Sequence, residues 1–394
     1  MRHLVVIGAG FGALTTAHAL RKRDLDAEIT IVAPTPSFLY YPSLVWVPSG
    51  MRKPDDLRVD VRDFLARNRI GYHQGTVQAI TDGGRTVVTD QGRLSNDGLV
   101  VASGGRFLRQ IPGIDNVLTV CQGGPSAQAI GERIAAMDGG RIALGFAGNP
   151  KHKPAMRGGA MFELLFCIDT QLRRAGKREN FELTFFTPNP RPGQRLGERA
   201  VQGLLDRLEK LGVTPHLGHP IERFEPDKVV TKGGEIPSDL TIFMPGMTGP
   251  AFLDDSELPV TESGHVPVDE RAKVDGLEAV YAVGDAAAFP GPSWQAKQAH
   301  AADIQGATAA ANLIDERKGD VPDHTVRHEI ICILDSLDKG VFVFRNDRMQ
   351  IATPPLTIGH WAKVALEKVY LLQYAPSPLA RLRDRPAQPA EQTA

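Results

Sequence analysis

The chain opens on a short apolar run, a glycine turn and a segment of small residues at helical spacing. Residues 4–7 (LVVI) predict a buried strand, and residues from about 13 to 23 predict the helix that follows it. Residues 28–32, rich in β-branched side chains and closed by Ala33-Pro34, predict the next strand. Strand, helix and strand in this order indicate a βαβ unit of a parallel sheet.

A second unit of the same kind follows further along the chain. A strand from about residue 142 leads into Gly145, residues 181–187 predict another strand, and residues 198–211 predict a helix. A set of short strands that begins near residue 77 and ends in LVVASGG (99–105) also recurs at a constant spacing of 142 positions. The matched residues are Val87-Val88-Thr89, Gly92, Asp97 and Gly104 with Val229-Val230-Thr231, Gly234, Asp239 and Gly246. A whole set in one register indicates an internal duplication.

The last third begins as another strand, turn and long helix, and its character changes after about residue 320. Residues 328–344 (HEIICILDSLDKGVFVF) predict a pair of strands, and residues 361–374 predict a helix. We expect the residues after about 376, rich in Pro, Ala, Arg and Gln, to be frayed.

The predicted helix at 361–374 separates apolar from charged positions imperfectly. Lys363 and Glu367 lie on one side, and Lys368 lies at the edge of the other. Packing of the apolar stripe against the core is the default expectation. The alternative is a helix at a membrane surface, with Arg381, Arg383 and Arg385 as nearby cations. The stripe comprises Trp361, Val364, Ala365, Val369 and Leu372.

Composition narrows the functional classes. The 394 residues carry a formal net charge of −1, which gives no basic field for binding nucleic acid. The three cysteines, Cys121, Cys167 and Cys332, form no C-x-x-C pair, so they predict a reducing, cytoplasmic setting and argue against a dithiol reductase. His324 and His328 are not joined by further ligands, so no metal site is expected. No apolar stretch is long enough to span a membrane, which leaves a soluble or peripheral protein.

The first turn has the spacing of a dinucleotide cradle. Gly8 permits a tight turn, Gly10 (followed by Gly12) lets the backbone approach a pyrophosphate, and Ala13 allows close helix packing. The helix start then offers free N–H groups to that anion. The second strand ends in Ala33, where an acidic residue would normally bind the adenosine ribose.

The second unit lacks the glycine turn of the first. Its strand still leads into Gly145, but the glycine spacing is absent from residues 146–157, which argues against NADH as the electron donor.

Near the other end of the first unit, Gly284-Asp285 follows a strand just before a helix. There the aspartate can bind a ribityl hydroxyl or merely cap the helix. Together with the cradle and the ASGG turn (102–105), this pair favours FAD as the cofactor.

These motifs resemble the two-dinucleotide-binding-domain flavoproteins, the pyridine nucleotide-disulfide oxidoreductase-like proteins. The likeness is strongest to the branch of sulfide:quinone oxidoreductase and flavocytochrome c sulfide dehydrogenase. It covers nearly the whole chain and rests on the cradle, FLYYPSL (38–44), ASGG, NP…GGAMFE (149–163), YAVGDAAAFP (281–290), AKQAHAADIQG (296–306) and GHWAKVALEKVYLL (359–372).

The resemblance implies an α/β fold with two Rossmann-like domains, an FAD domain and a degenerate NAD-type domain, and a small C-terminal domain. The expected boundaries are 1–115 with 251–320 for the FAD domain, 116–250 for the second domain and 321–394 for the last. The residues it places around FAD are Pro42, Ala102, Ser103, Gly104, Gly284, Asp285 and Lys297. Lys297 would set a positive charge near the pyrimidine end of the flavin, where the reduced form is negative.

In that branch two cysteines beside the flavin oxidise sulfide. Cys332 matches the distal one and Cys121 an accessory one, although a packing role for Cys332 and a loop thiol for Cys121 stay open. The partner cysteine is missing from residues 149–157, and Cys167 is expected to lie in the core. Glu163 is expected to manage protons for quinone reduction, or else to be a first-turn glutamate at the positive end of its helix.

The leading expectation is therefore an FAD-dependent oxidoreductase that takes electrons from sulfide or a small thiol and passes them to quinone. A type II NADH:quinone dehydrogenase is the first alternative, and a flavin-binding relative without turnover is the second. Whether the protein is a homo-oligomer and whether it attaches to a membrane surface stay open.

Overall fold

Two parallel sheets form the centre of the molecule, a computed structural model that describes residues 2–376. The α-helices are α1 (Phe11–Arg23), α2 (Arg62–Arg67), α3 (Gly124–Ala135), α4 (Gly158–Arg174), α5 (Glu198–Lys210), α6 (Ala299–Lys318) and α7 (Thr357–Tyr374). The strands are β1 (His3–Ile7), β2 (Glu28–Ala33), β3 (Ser37–Leu39), β4 (Arg58–Asp60), β5 (Gly71–Gln74), β6 (Val77–Thr81), β7 (Thr86–Thr89), β8 (Gly92–Ser95), β9 (Gly98–Val101), β10 (Arg106–Phe107), β11 (Gly140–Phe146), β12 (Phe181–Thr187), β13 (Val213–Leu217), β14 (Ile221–Glu225), β15 (Lys228–Thr231), β16 (Gly234–Pro237), β17 (Leu240–Met244), β18 (Met247–Thr248), β19 (Val266–Pro267), β20 (Val280–Ala282), β21 (Ala287–Ala288), β22 (Ile330–Asp335), β23 (Gly340–Arg345) and β24 (Gln350–Ala352).

The first sheet has the strand order β20-β9-β1-β2-β5, and all of its pairings are parallel. The apolar residues of β1 are fully buried in a core to which α1, α6 and the strands β6 and β7 also contribute. Helices α1 and α6 pack closely, since a Cβ on Gly306 would lie 2.7 Å from the carbonyl oxygen of Gly12. Small residues in both helices therefore bring α6 against the start of α1.

The second sheet has the order β13-β12-β11-β17 and is also parallel. Helix α4 follows β11, and α5 follows β12 with its apolar side, including Leu204 and Leu208, buried. This sheet and the first one confirm the predicted α/β fold with two parallel, dinucleotide-binding-type sheets.

The internal duplication is confirmed at the level of hydrogen bonds. The two antiparallel sheets β6-β7-β8 and β14-β15-β16 each turn back at a glycine with positive φ, Gly92 and Gly234. Asp97 accepts a 2.8 Å hydrogen bond from the backbone N–H at the start of β1, and Asp239 accepts one of 2.8 Å from the start of β11.

The comparison between the units corrects the expectation for Gly145. That glycine does not turn the chain: it lies inside β11, where it pairs with Phe186 and Phe243. Residues 8–10 join β1 to α1, whereas residues 147–157 join β11 to α4. The difference between the units is thus a longer connection after the strand, and α1 begins two residues before its predicted start.

The C-terminal part contains the antiparallel sheet β22-β23-β24, which confirms the predicted strand pair. Helix α7 packs against it with the opposite face from the one expected. Lys363 and Glu367 are 5% and 2% exposed, whereas Trp361 and Leu372 are 62% and 67% exposed. The default expectation of a core-packing apolar stripe is therefore wrong, although Val364 within it is buried. The three arginines after residue 380 lie outside the described residues.

Candidate functional site

A cavity of about 1840 Å³ is lined by residues of both parallel sheets and of the C-terminal part. Ile7, Ala33 and Ala102 line it, and each lies at the carboxyl end of a strand in the first sheet or directly after it. Phe146, at the end of β11, lines it from the second sheet. Ligands of open parallel sheets bind at this edge, because the loops and helix starts meet there.

The glycine turn after β1 forms one end of the cavity. Gly8 has φ +117°, and a Cβ there would lie 2.4 Å from the carbonyl oxygen of Ala102. Gly10 precedes the first residue of α1, and an added Cβ would meet no heavy atom within 4 Å in the described part of the chain. The turn therefore leaves open space directly in front of a helix start, which is where a phosphate binds.

Asp285 lies beyond β20 in the short turn Gly284–Ala286, next to two cationic side chains. Arg157 Nη2 donates to Asp285 Oδ2 at 2.5 Å. The Lys297 ammonium donates instead to the backbone carbonyls of Gly284, Asp285 and Ala287, at 3.1, 3.2 and 2.6 Å. Burial lowers the pKa of Lys297 to about 8, against the opposing attraction of Asp285.

A buried ion pair lies in another part of the same cavity wall. Lys363 of α7 donates to Oε1 of Glu163 in α4, and both side chains are less than a tenth exposed. Burial raises the pKa of Glu163 to about 7 even though Lys363 opposes this shift. A carboxyl group with such a pKa can hold and release a proton near neutrality.

Hydrogen bonds from β22 and its neighbours fix the surroundings of this pair. Asp335 accepts from Trp46 Nε1 at 2.9 Å and contacts His360 Nδ1 at 2.7 Å. The Lys363 ammonium lies 4.8 Å from the centre of the Trp46 ring. These contacts tie α7 to the first and second units and limit the movement of the Lys363 side chain.

The three cysteines occupy different environments. Cys332 in β22 lines the cavity and is partly exposed, and burial of its thiol raises the pKa to about 12. Cys121 also lines the cavity but is buried. Cys167 is buried in the core, where its Sγ contacts the backbone oxygen of Asp335 at 3.7 Å.

Residues 147–157 fold over the end of β11 without a glycine turn. The Ala155 carbonyl accepts from Asn149 N and from Met247 N, both at 3.2 Å. The Arg195 guanidinium, from the loop after β12, donates to the carbonyls of Lys153 and Pro154. The segment before the start of α4, where a second dinucleotide would place its phosphates, is thus held by contacts within the chain and has no glycine turn.

The comparison with known families agrees with this architecture. The family model described as pyridine nucleotide-disulphide oxidoreductase matches residues 2–307, which is most of the chain. The protein belongs to the pyridine nucleotide-disulphide oxidoreductase family. The resemblance inferred from its sequence motifs is confirmed at this level.

Individual relatives are similar to this chain over most of their length. The sulfide-quinone reductase of Aquifex aeolicus is 24% identical, with 94% of this chain and 90% of the relative covered. The type II NADH:quinone oxidoreductase of Mycobacterium tuberculosis is 25% identical over 79% of this chain and 72% of its own. The crystal structure of sulfide:quinone oxidoreductase from Aquifex aeolicus superposes with a TM-score of 0.87 at 22% identity, covering 97% of this chain and 94% of the other.

In this member of the oxidoreductase family, all but one of the predicted site residues line the one cavity. Ala13 is the exception, because it is fully buried against neighbouring elements, as its predicted packing role requires. The residues that line the cavity are Gly8, Gly10, Gly12, Pro42, Ala102, Ser103, Gly104, Gly284, Asp285, Lys297, Cys121, Glu163 and Cys332.

Two local expectations are wrong. Asp285 does not precede a helix directly, since α6 begins at Ala299, so a helix-capping role is excluded. Glu163 is the sixth residue of α4 and pairs with Lys363, so it is not a first-turn glutamate stabilised by the helix dipole.

Sequence reasoning missed Lys363 and Arg157. The apolar stripe predicts Lys363 on the solvent side of its helix, and Arg157 is the last residue of the segment 149–157, which lacks the partner cysteine. The sequence did allow the other position of Lys363. A lysine opposite an apolar stripe is exposed to solvent only if that stripe is buried, and a stripe that faces a membrane surface would turn the lysine inward. For Arg157 no local pattern indicates the contact with Asp285, because 128 positions separate the two residues.

Proposed function

We propose that this protein is an FAD-dependent oxidoreductase that oxidises sulfide or a small thiol and passes the electrons to a quinone. The observation that carries the proposal is a single shared cavity. The glycine cradle, the thiol of Cys332 and the Glu163–Lys363 pair all line it. A cofactor held there would meet a thiol and a proton-holding carboxyl group in one space.

The residues present fit FAD. Gly10 leaves space for a pyrophosphate before the start of α1, and Asp285 offers a carboxylate to ribityl hydroxyls. The volume of about 1840 Å³ exceeds the range of about 300–1000 Å³ that is usual for one small ligand, so a dinucleotide and a second ligand can share it. When bound, FAD supplies a two-electron acceptor between the donor and the quinone.

On the donor side, Cys332 is the residue we assign to sulfur. A bond between sulfide sulfur and Sγ turns HS⁻ and the thiol into a persulfide anion and releases two electrons and two protons. Because the thiol pKa is raised by burial, Cys332 is protonated at neutral pH until a base or the donor removes the proton. Cys121 lines the same cavity and is the second thiol available to this chemistry.

On the acceptor side, Glu163 and Lys363 are placed to manage the two protons that a quinone takes up. Glu163 Oε1 accepts from the Lys363 ammonium, so a proton can be held between the two groups. Leu366, one helical turn beyond Lys363, lines the cavity and is 41% exposed. The cavity therefore reaches the surface beside the exposed face of α7.

The exposed face of α7 supports attachment to a membrane surface. Ile358, Trp361, Val369 and Leu372 project from it, and apolar side chains on one helix face are typical of interfacial helices. Among the described residues no helix is both long enough and apolar enough to cross a bilayer. We infer a peripheral protein on the cytoplasmic side, whose quinone enters beside α7.

NADH is the alternative donor, since a type II NADH:quinone oxidoreductase is among the similar proteins. The geometry of residues 147–157 disfavours it. The segment lacks the glycine spacing that lets a backbone approach a pyrophosphate, and the Ala155 carbonyl and the Arg195 side chain are engaged in contacts within the chain.

An anaerobic titration tests the proposal. The FAD-loaded protein is mixed with sulfide, and separately with NADH, while the absorbance of the oxidised flavin is followed. We expect rapid bleaching by sulfide and none by NADH, followed by reoxidation on addition of a short-chain quinone. Bleaching by NADH alone would replace the proposal with its alternative, and bleaching by neither would favour a flavin-binding relative without turnover.

A further inference from the structure

Arg157 lies in the cavity at the end of the segment that lacks the expected partner cysteine. It is the last residue before α4, and its Nη2 donates to Asp285 Oδ2 at 2.5 Å. Its Nε contacts the sulfur of Met247 at 3.3 Å, and its guanidinium carbon lies 5.9 Å from the centre of the Tyr41 ring. Contacts on three sides fix the position of this charge.

The charges around Asp285 do not cancel. Arg157 and Lys297 each carry a positive charge, and Asp285 carries one negative charge. The Lys297 ammonium is bound to three backbone carbonyls and not to a carboxylate oxygen. Glu163 is already paired with Lys363. This part of the cavity therefore holds one positive charge in excess when no ligand is bound.

We propose that Arg157 acts electrostatically in place of the thiol that is missing from residues 149–157, by making the flavin a stronger electron acceptor. This inference rests on FAD binding in the proposed function. Reduced flavin carries a negative charge, and a fixed cation in a site of low dielectric stabilises that charge. With no thiol in residues 149–157, no disulfide with Cys332 can form there to carry the electrons, so they pass to the flavin directly. A flavin with a higher midpoint potential favours that transfer.

The test is the flavin midpoint potential of the FAD-loaded full chain at pH 7, measured against a reference dye without sulfide or quinone. We expect Arg157→Met to shift the reduction equilibrium toward oxidised flavin at least about tenfold. That shift lowers the potential of the two-electron couple by about 30 mV. Arg157→Lys keeps the charge and should keep most of the potential. Arg223→Met, which removes an exposed arginine paired with Glu225, should leave it unchanged.

An unchanged potential in Arg157→Met that still binds FAD would overturn the inference. If that variant loses FAD, Asp285→Asn supplies the converse test, because removing the carboxylate increases the excess positive charge and should raise the potential. A potential that stays equal or falls in Asp285→Asn would also overturn it. Neither measurement uses sulfide. A result that overturns the role of Arg157 therefore does not bear on sulfide as the donor, and a negative sulfide titration does not prevent measurement of these potentials.

Discussion

Cys332 is the single thiol on which donor oxidation is proposed to depend. Replacing it with serine removes the sulfur nucleophile with little change in volume. We therefore expect the rate of sulfide-driven flavin bleaching to fall at least about 100-fold. Stopped-flow absorbance of the flavin measures the rate.

The matched control is Cys167→Ala, which removes a buried thiol that does not line the cavity. That variant should lose some stability through its small cavity but bleach at the wild-type rate. Wild-type bleaching in Cys332→Ser would remove this residue from the mechanism and leave Cys121 as the candidate thiol.

Glu163 should affect the quinone half-reaction and not the donor half-reaction. Because burial raises its pKa to about 7, the group holds a proton below that pH and loses it above. We therefore expect quinone-driven flavin reoxidation to change with an apparent pKa near 7 in the wild type. Glu163→Gln should slow this step about 10²–10⁴-fold and abolish that titration.

Double-mixing stopped flow separates the two half-reactions. Reduction by sulfide in Glu163→Gln should stay within a few-fold of the wild-type rate. A variant that loses both half-reactions equally would instead indicate a structural role, since the glutamine leaves the buried Lys363 without its negative partner.

Sequence analysis can predict site residues whose proposed chemistry is local. Gly8, Gly10 and Asp285 are recognisable because a turn, a strand end and a spacing of a few positions define their roles. For the Glu163–Lys363 pair the sequence indicates only Glu163, because its partner lies 200 positions away and is brought to it where α4 and α7 both pack against β22. Propensity and periodicity do not contain that information.

At the level of elements, substitutions in the glycine turn between β1 and α1 distinguish an effect on folding from an effect on FAD binding. Gly10→Ala adds a methyl group into open space, so the protein should fold normally and bind FAD at least tenfold more weakly. Gly8→Ala would place its Cβ 2.4 Å from the Ala102 carbonyl at φ +117°, so it should lower stability as well.

Thermal unfolding without FAD and fluorescence titration with FAD measure the two effects. Unchanged FAD affinity in a folded Gly10→Ala protein would contradict a pyrophosphate site at this turn.

Helix α7 presents the second test at this scale. Its exposed face should bind lipid, and replacing both Trp361 and Val369 by serine removes about 3 kcal/mol of apolar burial at the membrane surface. We expect partitioning onto liposomes to fall about 100-fold. Sedimentation with liposomes measures it, and sulfide-driven bleaching in solution should stay unchanged.

The control is the double replacement of Leu25 and Val321 by serine, since these residues are also exposed but lie outside α7. Equal loss of liposome binding in both double variants would mean that general surface hydrophobicity, not this helix, causes attachment.

The order of most secondary elements in both units follows from apolar periodicity and glycine positions. The connection 147–157 and the orientation of α7 do not. The first has no regular spacing, and its path is set by contacts with Met247 and Arg195. The orientation of α7 is set by buried charges, Lys363 with Glu163 and Glu367 with Arg52, which outweigh the hydrophobic stripe. An argument from sequence periodicity assumes that the apolar face of a helix is buried and its charged face exposed, which is the reverse of what α7 shows.

At the scale of the whole molecule, the cavity joins parts of the chain that are far apart in sequence. Its wall includes Gly8 from the turn after β1, Glu163 from α4, and Cys332 and Lys363 from the C-terminal part. A ligand that contacts all of them binds the folded state only, so it should stabilise the whole chain and not one domain.

This coupling predicts the effect of removing the cofactor. Apoprotein should unfold at a lower temperature, and free FAD at about 100 times its Kd should add about 2.7 kcal/mol to the free energy of unfolding. Calorimetry at increasing FAD concentrations measures the shift in Tm, with NAD⁺ at equal concentrations as the matched control. NAD⁺ should give no comparable shift, because residues 147–157 lack the glycine spacing of the first turn, and the Ala155 carbonyl and the Arg195 side chain make their contacts there within the chain. An equal shift with NAD⁺ would contradict this assignment and restore NADH as the donor.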